Sequence, residues 1–374
     1  MYRTPGLLNS VAGNVAISLF SVAGLLISSA ALAQSSLQDT YPAADPYLGE
    51  EMRDDELEAA RGLIVTLQDK IRSEYKPGNA RRDAHPKAHG CVVATFDVND
   101  SISPELAHGV FQPGASYNAL VRFSNGSPNA DGKDITGDTR GMAIKLYDVP
   151  GEKLFAPPSQ EQVQDFILIS SPVFFINSAT GYTDFFERVD SGSVWEMLKI
   201  PFILGFKGSY NAYTMLSQTI ANPVETRYWS VVPYQLGLGE ERRAAKYSVR
   251  PCTEGNSAVP DNPGDNYLRE AMARTLSEGA ACMEFMIQPR TGSLSVENAI
   301  QEWPEDQAPF HTIAKLTLNQ QVFDTPEQNQ ACEAESYNPW HSLPAHKPLG
   351  LVSRLRRVVY EAISELRHEM NSTR

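Results

Sequence analysis

Eight times between residues 91 and 318 the chain runs for eight or nine residues as a strand former, and that count limits the fold more than any other feature. The runs are "CVVATFDV" (91–98), "YNALVRFS" (117–124), "GMAIKLYDV" (141–149), "DFILISSP" (165–172), "TRYWSVVPY" (226–234), "AAKYSVRPC" (244–252), "CMEFMIQPR" (282–290) and "HTIAKLTL" (311–318). They are rich in β-branched and aromatic residues and bounded by Gly, Pro, Asn and Asp. Most alternate apolar with polar. That pattern predicts an antiparallel sheet with one buried face, or a closed barrel whose interior is filled. Helical spacing flanks and interrupts the strands. Met52, Leu57, Ala60, Leu63, Ile64, Leu67 and Ile71 mark a helix between Gly49 and Glu74 on the outside of the body. Residues 192–218 and 266–278 read as helical. A last helix carries the apolar stripe Leu355, Val359, Ile363 and Leu366. There is no fixed-period repeat and no linker, which favours one domain.

Residues 1–33 read as a signal peptide: Arg3, the apolar run "VAISLFSVAGLLI", then Ala31-Leu32-Ala33 as a small-residue cleavage site. Residues 34–47 read as a flexible, Pro-rich leader and 48–374 as a single domain. The expected location is periplasmic or secreted, with no stable membrane insertion after cleavage. The balance of 45 acidic against 32 basic residues, a formal net charge of −13, speaks against nucleic acid and anionic membrane surfaces as main partners. Cys91, Cys252, Cys282 and Cys332 allow three pairings in an oxidising compartment, or free thiols, and none has metal-ligand spacing.

Polar clusters sit at the strand-like runs. In "RRDAHPKAHGC" (81–91), His85 and His89 are four apart, but Pro86 pushes His85 out of helical geometry and speaks against a zinc pair. Arg122 and Ser124 share one face of a strand, because side chains repeat every two residues. Arg140 precedes an otherwise apolar strand, and "ISSP" carries a double serine. In the last helix Tyr360 lies one turn after Arg356, and periodicity alone reads it as packing.

Taken in order, Arg82 with His85, "VRFS" (121–124), "DTRGMAIKLY" (138–147), "PVFFI" (172–176) and Arg356 with Tyr360 resemble the motifs of the haem catalase superfamily, in its compact bacterial catalase-like branch. The resemblance implies an α+β fold on an antiparallel eight-stranded β-barrel with peripheral helices, and haem b as the iron cofactor. It implies Tyr360 as the iron ligand and Arg356 as the charge that keeps it ionised. Arg82 and Arg122 are then expected to hold the haem carboxylates. His85 is expected as the acid–base group, with Ser124 fixing its ring. Tyr182 falls near the aromatic that packs over the haem. Ser170 stands where the family carries an asparagine, and its shorter hydroxyl is expected to reach a bound peroxide through a water. The implied activity is haem-dependent oxidation chemistry on hydrogen peroxide or an organic hydroperoxide. The alternatives are a haem carrier or sensor without turnover, and a hydroperoxide-rearranging enzyme of allene oxide synthase type.

Overall fold

The computed structural model describes residues 37–82, 84–157 and 160–372, so the expected signal peptide lies outside the described residues. All nine described strands fall in the compact unit Pro42–Arg374. They are β1 (Ala88–Val98), β2 (Ser116–Asn125), β3 (Arg140–Leu146), β4 (Gln164–Ile169), β5 (Tyr228–Trp229), β6 (Tyr234–Leu236), β7 (Arg243–Pro251), β8 (Ala281–Pro289) and β9 (His311–Leu318). Every pairing is antiparallel, in the order β5-β4-β3-β2-β1-β9-β8-β7-β6, and a further pairing of β5 with β7 closes a ring of eight. The expected eight-stranded barrel therefore forms, with β6 as an extra strand on β7. Its interior is filled by rings. Phe96, Phe111, Phe166, Tyr247 and Phe285 are buried, with centroids of neighbouring rings 5.0 to 6.4 Å apart.

The run 226–234 does not form one strand. Tyr228–Trp229 pairs with the end of β7, and Tyr234–Leu236 pairs with its beginning. Between them Val231 takes φ +63, a conformation that β-branched residues avoid and no strand contains. The ladder breaks there, at the seam of the barrel. Likewise β4 ends at Ile169, which leaves Ser170 and Ser171 beyond the strand.

Among the described residues of Pro42–Arg374, seven α-helices surround the barrel: α1 (Glu56–Glu74), α2 (Ala179–Asp190), α3 (Val194–Met197), α4 (Ile200–Leu216), α5 (Tyr267–Glu278), α6 (Pro326–Ala334) and α7 (Leu351–Ser372). The first helix starts at Glu56 rather than near Gly49, because Gly49 at φ +81 closes a short 3₁₀ turn, Pro46–Leu48. Helices α1 and α7 pack together through Ile71 and Leu366, with Ile363 beside them. A buried ion cluster fixes where α7 begins. Arg354 meets Glu50 at 2.8 Å, Glu56 at 2.7 Å and Glu297 at 2.9 Å. Glu50 and Glu297 also accept from the Gly350 and Leu351 amides, both at 2.7 Å, which satisfies N–H groups at the helix start. Of the cysteine pairings left open by the sequence, the structure takes Cys91–Cys332 and Cys252–Cys282. The first ties β1 to α6 and the second joins the end of β7 to the start of β8.

Candidate active site

One cavity lies between the barrel strands β2, β3 and β4 and the helices α1 and α7. Its apolar wall comes from Leu67, Met142, Ile167, Leu168, Val359 and Ile363. Tyr360 enters it from α7. Four residues earlier on that helix, Arg356 turns its Nε and Nη2 onto the Tyr360 hydroxyl, at 3.0 and 2.8 Å. Two N–H donors converging on one phenolic oxygen suit an oxygen that carries negative charge. Burial alone would lower the Arg356 pKa, yet Tyr360 and Tyr234 outweigh it and the pKa is raised.

His85 lines the same cavity and sits at φ +58, an uncommon conformation for a residue with a side chain. Two contacts hold it. Its Nδ1 is 3.1 Å from Ser124 Oγ, and its backbone carbonyl accepts from Arg122 Nη2 at 2.8 Å. Beside it, at the start of β1, a bulge shifts the register between Ala88 and Gly90 and brings Ala88 opposite Ser124. Position 141 has no room for a side chain: a Cβ there would lie 2.5 Å from His85 Nδ1 and 2.7 Å from Ser124 Oγ. Burial, then the charges of Arg122 and Arg356, pull the His85 pKa down to about 3, so the imidazole is neutral at ordinary pH.

Three guanidiniums gather at one end. Arg82 Nη2 donates to the carbonyls of Glu333 (3.2 Å) and Glu335 (3.0 Å). Arg367 Nη2 donates to the Glu335 carbonyl (3.0 Å) and to Ser336 Oγ (2.9 Å). One carboxylate, Glu333, serves both, 3.7 Å from Arg82 and 3.5 Å from Arg367. Arg122 has no ion pair among the described residues, and the Nε atoms of Arg82 and Arg122 are buried without a hydrogen-bond partner. Burial and the neighbouring Arg82 lower Arg122 to about 9 and Arg367 to about 10. Unpaired, buried N–H groups on crowded cations are a standing cost that an anionic ligand group relieves. The donor set therefore fits haem: carboxylate-binding arginines, an apolar wall and a tyrosine oxygen in one cavity.

The structure thus brings Arg82, His85, Arg122, Ser124 and Tyr360 together, with Arg356 acting through Tyr360. It does not bring Ser170 to the cavity wall. The Ser170 hydroxyl accepts from the Arg140 amide and donates to Gln218 Oε1, both at 2.9 Å, so it is committed to holding the end of β4. Tyr182 stacks on Phe174 at 5.7 Å; its buried hydroxyl has no partner, and burial raises its pKa. Arg140 is structural, bonding Asn125 Oδ1 and the Asp134 carbonyl. His89 faces Asp134 at 3.9 Å, away from the Ser124 contact of His85. Sequence reasoning passed over Gly141 and Arg367. Arg367 follows Tyr360 by seven residues, two helical turns, and that spacing was the available signal.

Residues 65–197 match the family model described as Catalase. The match to the catalase family is to that segment. The matched segment includes Leu67, His85, Arg122, Ser124 and Gly141, and ends before Tyr360. Peroxisomal catalase A of Saccharomyces cerevisiae is 20% identical over 268 residues, covering 63% of this chain and 48% of that protein. Catalase isozyme A of Oryza sativa subsp. indica is 23% identical over 267 residues, covering 65% and 51%. The chain spans about half the length of these relatives. Among solved structures, catalase A from Saccharomyces cerevisiae superposes with a TM-score of 0.62 at 18% identity, covering 80% of this chain and 63% of that one. A fungal catalase gives 0.60 at 19% identity, covering 78% and 59%. At such identity the likeness is one of fold, and it extends past the matched segment to the barrel as a whole.

Proposed function

We propose that the protein is an exported haem-b oxidoreductase that acts on hydrogen peroxide or an organic hydroperoxide. The observation that carries this reading is the Tyr360 oxygen under two Arg356 N–H donors, in a cavity that also holds the His85–Ser124 pair. Haem, when bound, would supply an iron centre that activates the peroxide O–O bond. Tyr360 is the residue to ligate it, and Arg82, Arg122 and Arg367 are the residues to hold its carboxylates. The names of the relatives support peroxide as the substrate class.

The protein's own part is proton handling. In the neutral tautomer whose Nδ1–H donates to Ser124 Oγ, His85 has Nε2 as the ring nitrogen that takes a proton. It accepts the proton of one peroxide oxygen and returns it to the other as that oxygen departs. Ser124 fixes the ring, and Arg122 fixes the backbone beneath it. Export is supported by the two disulfides, which persist in oxidising compartments. The test is to supply the chain with haem and follow oxygen release from hydrogen peroxide beside consumption of cumene hydroperoxide. Turnover of either is expected. Haem-loaded protein that consumes neither would overturn the proposal.

A further inference from the structure

Residues 197–224 contain two lysines, Lys199 and Lys207, and no acidic residue, in a chain whose net charge is −13. This acid-free stretch contains α4, and α4 is folded with its apolar side outward. The positions it buries are Gly208, Asn211 and Met215. Asn211 is satisfied inward, its amide donating to the carbonyls of Phe174 (2.8 Å) and Ile300 (3.1 Å). Facing away at helical spacing are Phe206, Tyr210 and Tyr213. Phe202 is 88% exposed, Phe206 93%, and Trp195, on α3, 77%. Gly205 at φ +64 breaks the helix between Phe202 and Phe206, and both rings remain in the open. A row of aromatics this exposed has a cost in water unless something covers it.

We propose that α3 and α4 dock on a phospholipid bilayer, with the aromatic rings at the headgroup–acyl boundary and Lys207 on lipid phosphate. Charge decides between this occupant and a second copy of the chain. Lys207 has no ion pair among the described residues. The nearest preceding acid, Glu196, is already shared by Arg188 and Lys199. A two-fold contact through this face would set Lys207 near its own kind with no carboxylate from 197–224 to pair with, whereas phosphates supply the missing charge. Bulk charge hides this, because the acidic excess lies outside the stretch. No described helix is long and apolar enough to cross a membrane, so the contact lies on the surface of the bilayer. The end of α4 is fastened to the barrel. Gln218 accepts from the Asp138 amide at 3.0 Å and from Ser170, which ties the end of α4 to the segments just before β3 and just after β4. The inference is independent of haem.

Tryptophan emission reads the site directly. Trp195 is exposed, while Trp303 and Trp340 are buried and Trp229 is half-buried. The full chain is mixed with vesicles of phosphatidylglycerol and phosphatidylcholine whose acyl chains carry bromine. Emission is expected to shift to the blue and to be quenched, and Trp195→Phe is expected to remove the effect. Phe202→Ser with Phe206→Ser touches only exposed positions, and should weaken the quenching interaction about a hundredfold, roughly tenfold per ring. Quenching that survives the double substitution would overturn the proposal. So would a chain that ignores vesicles and instead forms a dimer that the double substitution dissociates.

Discussion

At position 141 a single methyl group decides whether His85 can hold its place. Its Cβ would sit 2.5 Å from the imidazole, closer than real contacts allow, so the ring or Ser124 must move. Gly141→Ala is expected to cut peroxide turnover about a hundredfold, the scale of a lost acid–base group, while leaving the far-UV dichroism unchanged. Turnover within a factor of two of the parent would mean that the His85–Ser124 contact is not part of the chemistry. At the same scale, the Ser170 hydroxyl bridges the Arg140 amide and Gln218 just beyond the end of β4. His85, Arg122 and Tyr360 were legible because each stands in a motif of fixed spacing. Arg367 was not, because a basic residue late on an amphipathic helix ordinarily reads as a solvated face.

Among the elements, α7 matters most, because it carries Tyr360, Arg356 and Arg367 at once. Its start is fixed by Arg354 and the three carboxylates around it. Arg354→Ala removes the guanidinium that Glu50, Glu56 and Glu297 share, with Lys347 still 3.3 Å from Glu50, and should destabilise the chain by about 3 kcal/mol in a urea titration. A loss below about 1 kcal/mol would show that the carboxylates find other partners. Most barrel strands were legible from alternation to within a few residues, since one face of each meets the filled interior. The exception was the run 226–234, where the left-handed turn at Val231 follows from closure of the barrel and leaves no mark in residue type. The position of the Arg354 cluster was equally hidden, because its partners come from residues 50, 56 and 297.

Over the whole molecule, acid should be the weak side. His89 and His346 are fully buried and neutral, each pulled to about 3 by burial. In the unfolded chain they take up protons near pH 6.5, so the stability they contribute is present above that pH and is lost as pH falls towards 3. Together they should lower stability by about 3 kcal/mol per pH unit within that window. Urea midpoints measured from pH 7 to pH 4 check this, and a flat series would contradict it. The disulfide pairing belongs to this scale too, since Cys91 and Cys332 are 241 residues apart and only the closed fold brings them together. In the proposed function, Tyr360 is the residue that ligates the iron. Titration of the chain with ferric haem, followed by visible absorption, tests it directly. The parent should give a stoichiometric Soret band with a tyrosinate-type ferric spectrum, and Tyr360→Phe should lose that spectrum while keeping its dichroism. An identical spectrum and occupancy in Tyr360→Phe would contradict the assignment.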